Sequence, residues 1–420
     1  MVAISRADCH ALDAEDPLRD LREEFSLPDG ITYLLGNSLG ALPRRTAAKV
    51  AHTVETEWGR DLSASWNTAG WWDLPQSTGD RLAPLIGAGP GEVLAGDSTS
   101  TNIFKVMAAA LPLRPGRRVI VSELENFPTD RYVVEGVAKA LGAYEIRDVG
   151  SLDEALDMAL DEALDEALDG DVAAVLLSHV DYRTGALRDM DAITARVRAA
   201  GALMIWDLCH SAGAVPVDLR AADADFAIGC TYKYLNGGPG APAYLYVAER
   251  HQDAAHNVIS GWHGHAAPFA FEPYYRPADG VRRFATGSPP VLAYSALNAS
   301  LDIWETVDMS VVRAKSLALT TLFIDLIDEL RPDLALVTPR DPDRRGSQVS
   351  YRHADGYPVV RALADRGVVG DYREPGIMRF GFAPLYLRYV DVYDSATALA
   401  EVLDKESWRD ERYQQRLTVT

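Results

Sequence analysis

A lysine, an aspartate and a histidine carry the first chemical suggestion in this sequence. Lys233 lies in Thr231-Tyr232-Lys233-Tyr234-Leu235-Asn236-Gly237-Gly238-Pro239-Gly240, between apolar runs at 225–230 and 241–247 that read as short buried strands. Lysine is almost never fully buried without a partner. The glycines after it let backbone pass close to a bulky group. An amine held there can form a Schiff base with a carbonyl. A surface hairpin with one solvated lysine would use the same letters. Asp207 closes the apolar run 202–206, and His210 follows it. A carboxylate at a strand end can pair with a protonated ring nitrogen, or simply cap the next turn. His210 can serve beside it, or be a satisfied core histidine. Arg379 sits inside the apolar segment 376–386, where it needs a carboxylate partner. A substrate α-carboxylate would provide one; an ordinary exposed arginine is the plain alternative.

Two further stretches bear on binding. Gly96-Asp97-Ser98-Thr99-Ser100-Thr101-Asn102 leads into the apolar run 103–110 and reads as a hydroxyl-rich helix start. Free N–H groups, the helix dipole and the hydroxyls favour an anion such as phosphate, although an ordinary N-cap needs only one of these residues. Trp66, Trp71 and Trp72 fall within seven residues. They are either packing residues or an aromatic wall for a flat substrate.

The elements that must position these groups alternate. Strands are predicted at 32–35, 118–121, 173–178 and 202–206, with helices over 44–58 (Pro43 opening it), after 130 and over 190–200. Such alternation predicts a parallel, doubly wound sheet. Leu152, Leu156, Leu160, Leu164 and Leu168 mark an amphipathic surface helix over 151–170, to which no function is assigned. Residues 261–290 are loop-rich. Helices at 291–306 and 314–330 and strands at 334–337 and 348–351 then read as a smaller α+β unit. The predicted architecture is α/β, with a large domain over 51–290 and a small one built from 1–50 and 291–420. Ligands of an open parallel sheet sit beyond the carboxyl ends of its strands. Ser178, Asp207, His210, Lys233 and Phe127 all lie there, and Thr99-Ser100 opens a helix. These are the parts a pyridoxal 5′-phosphate (PLP) site needs: an amine, a carboxylate for the pyridine nitrogen, an aromatic to stack, and a helix start for the phosphate.

Composition narrows the class. The 420 residues carry 41 basic and 61 acidic side chains, a net charge of −20, which argues against nucleic acid or anionic membrane as a partner. The three cysteines, Cys9, Cys209 and Cys230, form no CxxC pair. That fits a reducing cytosol and no structural metal. No signal peptide and no run of about 18 apolar residues is seen. A soluble cytoplasmic enzyme is expected.

Asp207-x-x-His210, the lysine motif, Phe127-Pro128-Thr129-Asp130 and Gly36-Asn37-Ser38-Leu39-Gly40 together resemble the kynureninase family, fold-type I PLP enzymes of tryptophan catabolism. The likeness runs from about residue 30 to 390. The lysine and Gly-Asn-Ser-Leu-Gly motifs are its specific parts; the Asp-to-Lys spacing is shared with other class V aminotransferase relatives. The resemblance implies that Lys233 holds the cofactor and moves protons, with Asp207 and Tyr232 also catalytic. It implies that Thr99, Ser100, Ser178 and Tyr232 surround the phosphate, that Phe127 stacks on the ring with Asp130 nearby, and that His210 lies beside Asp207. Trp262 and Ser288 would reach in from the second subunit of a homodimer. Asn37, Ser38, Trp66 and Arg379 would bind substrate. Where this chain has Ser288 the family pattern has Asn or Thr, which leaves the ring-substituent preference open. The implied reaction is hydrolysis between Cβ and Cγ of L-kynurenine, giving anthranilate and L-alanine. A desulfurase or selenocysteine lyase of the same fold would need a late nucleophilic cysteine, and none follows Cys230. A class V aminotransferase remains open. A non-enzymatic regulator on this fold would show a degraded site or a basic module, and the sequence has neither.

Overall fold

The computed structural model describes residues 4–142, 144–150 and 156–417. Its strands in chain order are β1 (Thr32–Tyr33), β2 (Val93–Ala95), β3 (Val119–Glu123), β4 (Glu145–Val149), β5 (Val172–Ser178), β6 (Leu203–Asp207), β7 (Phe226–Gly229), β8 (Tyr244–Val247), β9 (Ala335–Leu336), β10 (Gln348–Arg352), β11 (Val368–Val369), β12 (Asp371–Arg373) and β13 (Ile377–Gly381). Seven of them form one sheet in the order β2-β8-β7-β6-β5-β3-β4. Neighbours from β7 to β4 pair in parallel, and β8 is antiparallel to both its neighbours. β2 to β7 therefore all end at the same edge. This is the predicted mainly parallel, doubly wound sheet. Its central strands are apolar end to end because helices cover both faces: β5, β6 and β7 have no exposed residue.

The helices used below are α1 (Arg6–Glu15), α2 (Arg45–His52), α3 (Leu74–Leu82), α4 (Thr99–Ala110), α5 (Pro128–Leu141), α6 (Leu156–Ala167), α7 (Met190–Ala199), α8 (Val291–Trp304), α9 (Met309–Leu330), α10 (Gly356–Ala364) and α11 (Tyr389–Asp404). Their starts follow local chemistry. The Ser98 hydroxyl accepts from the Thr101 N–H at 3.3 Å ahead of α4, Pro128 fills the first turn of α5, and the Asp189 carboxylate accepts from the Ala192 N–H ahead of α7. Pro43, expected to open a helix, instead pairs with Phe25 in a two-residue ladder, and α2 begins at Arg45. The acidic amphipathic helix is present as α6, with Leu164 in the core; residues 151–155 of the predicted span lie outside the described residues.

A second, four-stranded sheet, β9-β10-β13-β12, is antiparallel and packs with α9 and α10, and α11 lies against those two helices. The N-terminal segment joins it. β1 runs parallel to β11, with Thr32 opposite Val368, and α1 packs on α11. α8 packs on α2 and α3, its Tyr294 hydroxyl donates to the Ala95 carbonyl, and Ser300 donates to the Leu235 carbonyl. A division at residue 290 thus falls just before a helix anchored on the large sheet.

Candidate active site

The loop after β7 holds Lys233 by ties to distant turns. The Thr231 hydroxyl donates to the Pro242 carbonyl at 2.6 Å, and the Gly237 N–H to the Thr231 carbonyl at 2.8 Å. The Gly40 N–H donates to the Tyr232 carbonyl, and Asn236, at φ +56°, donates through Nδ2 to the Ala41 carbonyl. The approach is close enough that a Cβ on Gly40 would stand 2.3 Å from the Lys233 carbonyl oxygen. The two motifs that carry the resemblance are therefore one contact.

Lys233 faces a cavity of about 140 Å³ at the carboxyl edge of the large sheet. Nine of the residues singled out in the sequence line it: Thr99, Ser100, Phe127, Asp130, Ser178, Asp207, His210, Tyr232 and Lys233. Asp207 is the last residue of β6. Its Oδ1 accepts from the Cys209 N–H at 2.8 Å and its Oδ2 lies 3.2 Å from the Ser178 hydroxyl, which is also 2.7 Å from Asn126 Oδ1. The Lys233 Nζ lies 6.0 Å from the Phe127 ring centre and 5.8 Å from that of Tyr232. Burial alone would lower the Lys233 ammonium; the acidic groups around it, Cys230, Cys209, Tyr232 and Asp207, raise it instead. Burial, then the neighbouring Asp207, push the Asp130 carboxyl well above its usual range. Burial, then Lys233, push the His210 imidazole well below its usual value, so it is neutral, and its Nδ1 has no protein partner.

The remaining singled-out residues lie outside that cavity. Arg379 is buried on β13 directly opposite Asp371 of β12, and its Nε and Nη2 donate to both oxygens of that carboxylate at 2.7 and 2.6 Å. The partner that the sequence reading sought in a substrate is thus supplied by the chain itself. Nη1 donates to the Tyr182 carbonyl at 2.5 Å, and one N–H on each Nη is left for the far edge of the guanidinium. Asn37 is fully buried and its Nδ2 donates to Gln348 Oε1 at 2.7 Å. Ser38 follows in a turn closed by its N–H on the Leu35 carbonyl. Trp66 packs edge-on against Trp71 at 5.8 Å and Trp72 at 6.4 Å, and Trp72 against Trp262 at 5.1 Å. Trp66 and Trp262 therefore share one cluster, on which Trp262 is 41 % exposed. Ser288 is exposed.

Sequence reasoning missed Asn126, Thr129, Tyr182, Cys209 and Asp371. The first four follow strand ends, so the rule that ligands sit there could have found them. Tyr182 lines the cavity and its ring meets Phe127 edge-on at 5.3 Å. Nothing in the letters marked Asp371.

A family profile described as the kynureninase C-terminal domain matches residues 312–399. A curated protein of Burkholderia pseudomallei, named kynureninase, is 51% identical over 99% of this chain and 100% of its own length. The chain belongs to the kynureninase family. A kynureninase of Pseudomonas fluorescens is 50% identical over 99% of the chain and 100% of its own. Among solved structures, a cysteine desulfurase from Escherichia coli superposes with a TM-score of 0.78 over 92% of this chain and 98% of its own, at 18% identity. That likeness shows the fold, and it is the full-length kinship to kynureninases that separates this chain from the desulfurases. Among the described residues no His, Cys, Asp and Glu cluster could hold a metal ion. No helix among them is long and apolar enough to cross a membrane.

Proposed function

We propose that this chain is a PLP-dependent hydrolase that cleaves the Cβ–Cγ bond of L-kynurenine, giving anthranilate and L-alanine. The observation that carries the reading is the convergence of Lys233, Asp207, His210, Phe127 and the start of α4 on one cavity, in a chain half-identical to kynureninases along its whole length. The donor set fits the cofactor. Lys233 provides the amine, Asp207 the carboxylate for a ring nitrogen, Phe127 a half-exposed face, and Thr99 and Ser100 the free N–H groups of a helix start. The unpartnered Nδ1 of buried His210 offers one more polar contact.

Bound PLP supplies an electron sink next to the substrate Cα. Asp207, anchored by Cys209 and Ser178, keeps the acceptor nitrogen protonated. Lys233, once its amine is freed, takes the Cα proton. Arg379, already oriented by Asp371 and the Tyr182 carbonyl, turns its remaining N–H groups to the α-carboxylate. Tyr232, whose phenol burial keeps protonated, can donate a proton near the phosphate end. Water adds to the γ-carbonyl of the substrate, the Cβ–Cγ bond breaks to release anthranilate, Cβ takes up a proton, and Lys233 returns a proton to Cα to leave alanine.

A homodimer completes this reading. A second cavity of about 380 Å³, lined by Ser98, Thr99, Tyr232, Gly240 and Pro290, opens beside the first. Trp262, Phe269, Phe271 and Tyr274 expose 41 to 83 % of their surface on the same molecule. Exposed aromatic side chains of this kind are what a subunit interface would cover. We assign Trp262 and Ser288 to the partner's cofactor site. Three free thiols support a reducing cytoplasm.

The test is product analysis. L-kynurenine should yield fluorescent anthranilate and an equal amount of alanine. Absence of anthranilate, with pyruvate converted to alanine, would establish an aminotransferase instead.

A further inference from the structure

Two of the three cysteines sit side by side at the edge of the candidate site. Cys209 and Cys230 each lie two residues beyond the last pair of the β6–β7 ladder, Asp207 with Ile228. The two chains are still joined there, because the Leu208 N–H donates to the Ile228 carbonyl at 2.8 Å. Adjacent strands run about 4.8 Å apart, inside the roughly 4.4–6.8 Å that the α-carbons of a disulfide span. Cys230 Sγ lies 3.8 Å from the Cys209 carbonyl oxygen, and the two thiols are within hydrogen-bonding reach of each other. Both are free thiols. Cys230 is 2 % exposed; Cys209 is 8 % exposed and lines the Lys233 cavity, so it is the thiol that a small molecule in the cavity meets. Burial would raise the Cys230 thiol, but the hydrogen bond with Cys209 and the Lys233 charge lower it, which makes it the readier thiolate of the two. Cys209 also touches the groups assigned to the cofactor. Its sulfur lies 3.9 Å from Thr99 Oγ1, and its N–H holds Asp207.

We propose that Cys209 and Cys230 are a modification site, a dithiol that hydrogen peroxide oxidises to a disulfide when the cavity is free of cofactor and that bound PLP shields. The Cys209 sulfur takes one oxygen as the peroxide O–O bond breaks, giving a sulfenic acid and one water. The Cys230 thiolate attacks that sulfur, the S–O bond breaks, and the departing hydroxide takes the proton that Cys230 lost and leaves as a second water. The two thiols together lose two electrons and two protons, and the peroxide takes up both. A bond between the sulfurs ties the end of β6 to the lysine loop, draws Cys209 from Thr99 and shifts the N–H that holds Asp207. The disulfide needs only the two cysteines; the shielding rests on the PLP reading of the site. In a reducing cytoplasm such a bond is transient and forms under oxidant.

The experiment uses the full chain with and without PLP, begun by confirming from its visible absorbance that the reduced protein binds PLP; failure there defeats the proposed function, and the mass of the oxidised chain still decides whether the disulfide forms. Cofactor-free protein treated with hydrogen peroxide should lose about 2 Da and two of its three thiols, with a peptide joining Cys209 to Cys230. Its PLP affinity should fall about tenfold, because the Asp207 anchor is displaced, and should return with dithiothreitol. Saturation with PLP before the peroxide should slow the mass change about tenfold, since oxidation follows exposure of the thiol. Cys230→Ala should form no disulfide and should instead carry a sulfenic acid at Cys209 that dimedone traps. If that variant does not fold, the cross-linked peptide of the wild type decides. Thiols that survive the peroxide, a disulfide that leaves PLP affinity unchanged, or oxidation equally fast with PLP bound would each overturn the inference.

Discussion

At the scale of single residues, the site combines a raised lysine, a depressed histidine and a carboxylate pair within one small cavity. Lys233→Ala should give a protein without the visible absorbance and without borohydride-trapped cofactor, checked by spectrum and mass. Asp207→Ala should keep the fold, seen by circular dichroism, and slow turnover at least a hundredfold, about 2.7 kcal/mol in barrier. Activity within threefold of wild type would mean another carboxylate serves the ring nitrogen. His179 offers a stability test outside the chemistry. Burial, then the Arg188 charge, hold its folded imidazole at about 3, against roughly 6.5 in an unfolded chain. Between those values the unfolded chain binds a proton that the folded chain refuses. Its contribution is therefore complete above pH 6.5 and is lost as pH falls toward 3, at ~1.4 kcal/mol per pH unit. His179→Phe should flatten the pH dependence of the unfolding free energy, obtained from urea titrations, by that slope; an unchanged slope would overturn the assignment of a neutral buried imidazole.

At the scale of elements, the start of α4, proposed to face the cofactor's phosphate, is held from behind. Lys105, 1 % exposed within α4, donates to Asp97 Oδ2 at 2.8 Å and to the Phe284 carbonyl at 2.7 Å, so one ammonium pins the helix start to the 284–288 loop. Lys105→Met strands the carbonyl and the aspartate. It should lower stability by about 3 kcal/mol and weaken PLP binding, both measurable by thermal unfolding with and without cofactor. What the sequence disclosed at this scale follows from burial. The long apolar runs of β5 and β6 and the hydroxyl cluster before α4 were legible because central strands and helix starts have local signatures. β2 and β4 were not, because one has three residues and the other is half-exposed and charged, leaving no run to read. Cavity residues on motif-bearing turns were legible for the same reason. Asp371 was not: it becomes Arg379's partner only through the register of β12 on β13, which no local pattern encodes. The tryptophans were legible as aromatic, but not as the single cluster that joins Trp66 to Trp262.

At the scale of the molecule, the proposed homodimer would bring Trp262, 41 % exposed, and the exposed Ser288 to the partner's site. Trp66→Ala should weaken kynurenine turnover more than PLP binding, and Trp262→Ala should weaken both; a fully active monomer at micromolar concentration, seen by sedimentation, would refute the shared site. The connection between the ends of the chain has a further consequence. Asn37 meets a residue 311 positions later, β1 pairs with β11, and Arg6 reaches Asp394 across 388 positions. Contacts so distant in the chain close late and slowly. During synthesis the first segment to leave the ribosome is thus among the last to find its place. Until β11 and β13 emerge, β1 is an unpaired edge and the Gly-Asn-Ser-Leu-Gly turn has no small sheet to rest on. The order of synthesis runs against the order of assembly, and the beginning of a nascent chain stays uncovered until its end arrives.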